Sequence, residues 1–329
     1  MNGLALTFAN VGYGEAMLLA AADPSRKDGV FTMLIDGGGN TPAEFAGSTS
    51  GRAPFADFIQ KRQIPHLDLA VCTHIHEDHI SGMVPVLQDL APDAFWQTLP
   101  GDYFRKMREL SEDLLERPDG KKYIRSLNDY RKLCGMLAER GTKIPDPEDL
   151  PEVFRPFEGL TISVIGPSAA KREALRACMV RIYDGADPAE LPAAISRADA
   201  SMNNFSLMLM IEYAGRRILL PGDTNREGYG DVTADLSADI FKVGHHGQKD
   251  GISRELFRRI RPSYVVCCAS SDRRYNSAAP EILAMMQEEG AALTFSDCPE
   301  VLPFTEGLMP HSTLTFTITP DGEISYRYE

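Results

Sequence analysis

Apolar residues along the chain follow strand-like patterns at both ends, and strands alternate with helices in between. Strands are predicted at 4–8, 15–20, 31–35, 67–73, 160–165, 205–212, 217–220, 238–243, 264–268, 291–295, 313–319 and 323–328. Helical spacing predicts helices at 81–90, 254–261 and 280–289. The last two strands flank the turn 320–322, so they should form a hairpin. The pattern as a whole predicts an α/β protein.

The segment from Pro92 to Glu158 has a different character, because its apolar residues recur at helical spacing in two runs. The sequence Pro118-Asp119-Gly120 between the runs indicates a break. We interpret 92–158 as a helical insertion within a single domain that spans 1–329. It either covers the core as an ordinary helical pair or forms a lid over a site. The pattern is weakest at 171–200, where a loop is expected at 184–188.

The composition of the chain limits the classes of protein to which it can belong. A chain of 329 residues with 43% hydrophobic residues can bury a substantial core. The N-terminus shows no secretory leader, and apolar runs fall short of the ~20 residues of a membrane span. A soluble, cytoplasmic protein is therefore expected, and its six sparse cysteines predict no disulfide framework. The net charge of −13 argues against general affinity for nucleic acid or anionic membrane.

Candidate chemistry is concentrated in the run His74-Ile75-His76-Glu77-Asp78-His79, directly after a predicted strand. Imidazole and carboxylate groups are the ligands that divalent transition metals prefer. His74 and His76 can meet one ion if the chain stays extended or turns sharply there. Asp78 and His79 lie on the next turn and can face a second ion. The run therefore predicts two adjacent metal sites.

Two later segments deliver similar groups from strand ends. Pro221-Gly222-Asp223 places an acid after an apolar strand, and the segment 241–247 places His245 and His246 after another. Ligands from several strand ends can converge on one cleft. We leave His66 and His311 out of the site because neither follows a strand in this way.

These segments together resemble the metallo-β-lactamase superfamily, and within it the hydrolase domain attached to bacterial competence DNA-uptake channels and that domain's free-standing relatives. The likeness covers nearly the whole chain outside the insertion. It runs through an opening glycine turn and five motifs, at 10–16, 34–38, 73–82, 203–207, 221–223 and 242–247. The resemblance implies a four-layer αββα sandwich.

The resemblance also implies a site with two divalent ions, zinc or manganese. The first ion would be held by His74, His76 and Asp223, and the second by Asp78, His79, Asp223 and His245. Asp78 and Asp223 would be the catalytic acids, with Asp223 bridging the ions. Spacing leaves open whether His245 or His246 points inward.

The remaining expected site residues support the ligands or contact substrate: Asp36, Asn203, Asn204, Ser206, Lys242, His246, Arg274 and Asn276. The third motif, 203–207, carries no histidine where much of the superfamily has one. The first ion is therefore expected to be one protein ligand short. His76 stands where competence-type domains often have aspartate.

Two divalent ions can activate a shared, bridging hydroxide, so hydrolysis needs no protein nucleophile. The subgroup likeness, with Lys242, Arg273 and Arg274 as cations near the motifs, favours phosphoester hydrolysis. Nucleotides or short nucleic acids suit the acidic chain better than long duplexes. Two alternatives remain: hydrolysis of a thioester, lactone or other acyl bond on the same site, and a non-catalytic binding module with a degenerate site. The sequence leaves the oligomeric state open.

Overall fold

A computed structural model describes residues 2–185 and 187–329. The elements up to the second sheet are β1 (Leu4–Ala9), β2 (Ala16–Ala22), β3 (Val30–Gly37), α1 (Phe55–Arg62), β4 (Leu69–Val71), α2 (Glu77–Ile80), α3 (Met83–Asp89), β5 (Ala94–Trp96) and α4 (Pro118–Glu139). Those that follow are β6 (Val153–Phe157), β7 (Leu160–Gly166), α5 (Ala169–Tyr183), α6 (Leu191–Ser201), β8 (Met208–Tyr213), β9 (Arg216–Leu220), β10 (Ile240–Lys242), α7 (Arg254–Ile260), β11 (Tyr264–Cys267), α8 (Pro280–Glu288), β12 (Ala292–Phe295), β13 (Thr313–Ile318) and β14 (Ile324–Tyr328).

The strands form two seven-stranded sheets. The first has the order β14-β13-β1-β2-β3-β4-β5, and the second has the order β12-β11-β10-β9-β8-β7-β6. Pairing is parallel from β3 to β5 and again from β9 to β12, and antiparallel elsewhere. Parallel strands end at the same edge of a sheet, so the residues that follow β9 and β10 can meet there. The contact of His79 with Asp223 shows that the residues after β4 of the first sheet reach the same place.

Three clusters of buried apolar residues show that the sheets lie between helical layers. One cluster joins Leu34 of the first sheet to Phe55 of α1 and Leu127 of α4. The second lies between the two sheets, and the third packs Phe241 of the second sheet against Phe257 of α7 and other residues of α7 and α8. Helices, two sheets and helices therefore form four layers, and the predicted α/β sandwich is confirmed.

The expected helical insertion differs from the structure in its bounds and content. The range 92–158 contains two sheet strands, β5 and β6, so the non-sheet part is shorter. The first helical run forms the short 3-10 turns Tyr103–Lys106 and Glu112–Leu114. Pro118 is the first residue of α4 and breaks no helix, because an N-terminal position needs no backbone N–H donor.

The weakly patterned segment 171–200 is mostly helical, with α5 and α6 packed on each other. The loop expected at 184–188 falls between these helices, with Ala186 outside the described residues. Within 2–185 and 187–329, we find no helix with both the length and the apolar character that a membrane crossing requires.

The turn between β1 and β2 rests against the histidine run. Gly14 has a φ of +128°, and a Cβ atom there would lie 2.3 Å from the carbonyl oxygen of Asp78. The backbone N–H of Glu15 donates to the same oxygen at 3.0 Å. The absence of a side chain at Gly14 therefore lets this turn support Asp78.

Replacing Gly14 by alanine should lower the free energy of unfolding by about 2–3 kcal/mol, because the new methyl group meets the backbone of Asp78 and the φ angle is unfavourable. Urea denaturation measures the loss. Gly29→Ala is the control, since Gly29 also has a positive φ but no atom within 4 Å of its added Cβ. Equal losses for both variants would show that the contact with Asp78 contributes nothing.

Candidate metal centre

The histidine run leaves the first sheet in an extended conformation and then enters a helix. His76 has φ −116° and ψ 154° and precedes α2, whose first turn carries Asp78 and His79. The extended part brings Nε2 of His74 to 3.0 Å from Nδ1 of His76. The two histidines therefore form a pair, and α2 directs the side chains of Asp78 and His79 to a second group of ligands.

Each of four imidazoles in the centre has one ring nitrogen held by a neighbour and one directed inward. The held nitrogens are His74 Nδ1, 3.1 Å from Thr73 Oγ1; His76 Nε2, 3.2 Å from Asp199 Oδ1; His79 Nδ1, 2.8 Å from Asp36 Oδ2; and His246 Nδ1, 3.0 Å from the Cys268 carbonyl oxygen. Metal-binding histidines are oriented in this way, because a partner for the outer nitrogen fixes the ring and its tautomer.

The inward nitrogens of His79 and His246 converge on two carboxylates. Nε2 of His246 lies 2.9 Å from Asp223 Oδ2 and 3.0 Å from Asp78 Oδ2, and Nε2 of His79 lies 3.3 Å from Asp223 Oδ2. Despite this proximity, neither nitrogen has a well-aligned hydrogen bond among the described residues, which is costly in a protein interior. Ligand atoms that each lie ~2.0–2.1 Å from one zinc ion are separated from one another by distances similar to those between these atoms. The donor set therefore fits a divalent ion.

The electrostatics of the two acids suit cation binding. Burial alone would raise the pKa of Asp223, but the adjacent His246 and His79 hold it well below the usual value. The pKa of Asp78 is also lowered, mainly by His79 and His246 against the effect of burial. Both carboxylates therefore stay ionised. Asp36 lies behind them, fully buried, and accepts hydrogen bonds from the backbone and hydroxyl of Thr73.

Lys242 is part of the buried centre and is closed to substrate. Its Nζ contacts Glu15 Oε1 and lies 3.0 Å from Asp223 Oδ1 and 2.8 Å from the Gly222 carbonyl oxygen. Burial lowers the pKa of Lys242 to about 7, and the nearby Cys268 and Cys267 oppose that shift. Two roles were expected for Lys242, support of a ligand or contact with a substrate phosphate, and its burial beside Asp223 favours the first.

The structure separates the two adjacent histidines of the fifth motif. His245 and His246 both have left-handed backbones, with φ 48° and 52°, in the turn Gly244–Gly247. His246 is fully buried against the two acids, whereas Nδ1 of His245 lies 2.8 Å from Asp250 Oδ1. His246 therefore occupies the ligand position that was expected for His245. His245 lines the neighbouring cavity.

The third motif supports the centre from one side. Ser206 Oγ donates to the Asn203 carbonyl oxygen at 2.8 Å and accepts from the backbone N–H of Asp223 at 3.2 Å. Asn204 is turned away and accepts from the backbone of Asn225. Asn203 lines the cavity, and its Oδ1 has no hydrogen-bond partner among the described residues.

The expected ligands thus fall into two groups. Asp78, His79, Asp223 and His246 form a cluster, and ligand atoms of Glu15, His79, Asp223 and His246 lie within 4.8 Å of one another. His74 and His76 form a separate pair. Oδ1 of Asp223 faces Lys242, so its bridging role stays a prediction.

A cavity of about 250 Å³ opens beside the centre. Its wall includes three tyrosines, two cations and several acids: Tyr13, Tyr123, Tyr275, Lys122, Arg274, Glu44, Glu77, Asp119 and Asp199, together with the site residues His76, Asp78 and Asp223. Asp119, Lys122 and Tyr123 belong to α4, so this helix borders the site as well as covering the core. Arg274 is paired with Glu44 at 2.5 Å, and the exposed Asn276 is not part of the wall.

Sequence reasoning missed several groups at the site: Tyr13, Glu15, Lys122, Tyr123, Asp199 and Asp250. Tyr13 and Glu15 lie in the opening glycine turn 10–16, which already resembled the superfamily, so their positions could have been found. Asp199 lies in the segment without a clear pattern and gave no signal.

The fold and the site together define the class of this chain. Two sheets between helical layers, with imidazoles and carboxylates after the ends of parallel strands, make a four-layer αββα sandwich with a candidate metal centre. This is the arrangement that the resemblance to the metallo-β-lactamase superfamily implies. No family model matches the sequence.

Among curated proteins, 97% of the chain is similar to ComE operon protein 3 of Bacillus subtilis (strain 168), with 23% identity over 332 residues. The chain spans 32% of the length of that relative, so the likeness concerns one part of it. This supports the predicted likeness to competence proteins.

Solved structures with similar folds include Zn(2+)-bound PqqB from Methylobacterium extorquens, with 11% identity, a TM-score of 0.43 and coverage of 88% of this chain and 97% of that one. A diphosphatase of the PhnP family shows 11% identity and a TM-score of 0.37, with 98% of each chain covered.

Proposed function

We propose that this protein hydrolyses phosphoesters with two divalent ions, zinc or manganese, bound at its centre. The orientation of the four imidazoles carries the proposal, because each has its outer nitrogen held by a neighbour. The inner nitrogens of His74 and His76 face each other, and those of His79 and His246 face Asp223. A satisfied structural cluster would not leave the buried inner nitrogens of His79 and His246 without a well-aligned hydrogen bond within 2–185 and 187–329.

In this proposal His74 and His76 hold the first ion, and Asp78, His79, Asp223 and His246 hold the second. Divalent ions in this position would activate a water molecule and neutralise charge on the scissile group. Lys242 and Glu15 fix the orientation of Asp223 from behind. Asp36 fixes His79 and the backbone of Thr73, so the histidine run keeps its shape during turnover.

The cavity wall supports a phosphoester as the substrate. Lys122 lines the cavity and has no ion pair among the described residues, so its amine can meet a phosphate oxygen. The rings of Tyr13 and Tyr275 pack edge to face 5.2 Å apart on the same wall, and the exposed Tyr275 can meet a planar group such as a nucleobase. A cavity of about 250 Å³ admits a nucleotide or the end of a short strand more readily than a duplex.

The test begins with chelator-treated protein reloaded with Mn²⁺ or Zn²⁺ and a measurement of bound metal. Turnover is then compared on bis-p-nitrophenyl phosphate, single-stranded DNA, cyclic dinucleotides, thioesters and lactones. We expect metal-dependent phosphodiester cleavage. Turnover of thioesters or lactones alone would replace the phosphoester proposal with acyl hydrolysis. Failure to bind any metal would overturn both hydrolase proposals and favour the alternative of a non-catalytic binding module.

A further inference from the structure

Helix α6 brings a carboxylate to the histidine pair. Asp199 lies near the C-terminal end of α6, and its Oδ1 is 3.2 Å from Nε2 of His76. Asp199 and Asn203, four residues apart, both line the cavity. Neither the histidine run nor the third motif includes Asp199, so the contact links the site to a segment outside the motifs.

His76 differs from the other three imidazoles in its exposure. Its side chain is 20% exposed, whereas those of His79 and His246 are fully buried and His74 is buried as a residue. Packing therefore restrains three of the rings but leaves one edge of His76 open to the cavity. A specific partner is needed to hold this ring in one orientation.

The hydrogen bond to Asp199 has a defined chemical consequence. A carboxylate accepts only, so Nε2 of His76 carries the proton and Nδ1 keeps its lone pair. Nδ1 lies 3.0 Å from Nε2 of His74, on the side where the pair can share an ion. The carboxylate also increases the basicity of the imidazole as a ligand.

We propose that Asp199 is a positioning residue that orients His76 toward the first ion. Its contribution offsets the absence of a histidine in 203–207, where the first ion lacks a third imidazole. This inference rests on the proposed function only in requiring that a divalent ion binds at His74 and His76.

The decisive experiment is calorimetric titration of chelator-treated protein with MnCl₂. Wild-type protein should bind two ions, and Asp199→Ala should weaken one of them by about 10–100-fold while leaving the other unchanged. Asp199→Asn keeps an oxygen that can accept from His76, so its loss should be smaller. Glu190→Gln is the control, since it removes one negative charge at the exposed start of the same helix.

A second measurement reports on the ring directly, without metal. Long-range ¹H–¹⁵N spectra of the imidazoles should show His76 with its proton on Nε2 in the wild type and a mixture of tautomers in Asp199→Ala. Unchanged Mn²⁺ affinities together with an unchanged tautomer in Asp199→Ala would overturn the inference. Absence of Mn²⁺ binding by the wild type would instead overturn the proposed function, and the His76 tautomer would still test the contact.

Discussion

Asp223→Asn is expected to remove the second ion and to lower hydrolysis by at least about 10³-fold, which corresponds to about 4 kcal/mol of lost transition-state stabilisation. Oδ2 of Asp223 lies 2.9 Å from His246 and 3.3 Å from His79, so it is the acid that both imidazoles share. Asparagine keeps the shape of the side chain and removes its charge. The loss would therefore report on the ligand and not on packing.

The same substitution also changes the balance of buried charge. Lys242 would keep Glu15 as its one charged partner among the described residues, and the Gly222 carbonyl would still accept from its amine. The protein should therefore remain folded, which circular dichroism and urea denaturation can check. Asp235→Asn is the control, because Asp235 pairs with Arg217 on the surface and is 70% exposed.

Metal content by elemental analysis and phosphodiesterase rate would be measured on both variants. The control should keep two ions and the wild-type rate. Two bound ions and a rate within tenfold of wild type in Asp223→Asn would contradict the place of this acid in the centre.

The sequence predicted most of the strands because most of them bury at least one apolar face, which alternation or an apolar run along the chain reveals. The short β5 and the largely unburied β6 were missed. The leading strands β1 to β4 and the final hairpin lie within a few residues of their predicted positions. The segment 92–158 was harder. A proline that begins a helix gives the same sequence signal as a proline that interrupts one. Pro118 begins α4, so the break predicted there is the start of a helix.

The candidate site was found from sequence where its ligands lie close together along the chain. The run 74–79 and the acid Asp223 follow strands, and the sheets bring those strand ends together. For Lys242 the choice between ligand support and substrate contact stayed open, because the sequence cannot show that Glu15, far away along the chain, meets its amine. Asp199 was missed for the same reason, since the contact with His76 spans 123 positions.

Spacing could not distinguish His245 from His246, because they are adjacent and their orientation depends on two left-handed residues in a row. Non-glycine residues rarely adopt this conformation, and no local pattern predicts it. Such conformations persist where the surrounding structure fixes them, often at functional sites. Here the carbonyl oxygen of Cys268, directly after β11, fixes the orientation of the His246 ring, and Asp250 holds the ring of His245.

The two histidines provide a matched pair of variants for the most direct test of the centre. His246→Asn should weaken binding of the second ion by more than about 100-fold, because it removes an inward nitrogen 3.0 Å from Asp78 and 2.9 Å from Asp223. His245→Asn should retain both ions, since the His245 ring faces Asp250. Asparagine is chosen because it tolerates a left-handed backbone better than most residues.

Metal titration and phosphodiester turnover would be compared at saturating and limiting Mn²⁺. We expect His246→Asn to lose about 10³-fold in rate at limiting metal and to regain part of it at saturation, because the remaining ligands still bind weakly. His245→Asn should lose less than tenfold, and excess metal should not restore that loss. The reverse order, with the metal lost in His245→Asn, would show that His245 turns inward when an ion binds.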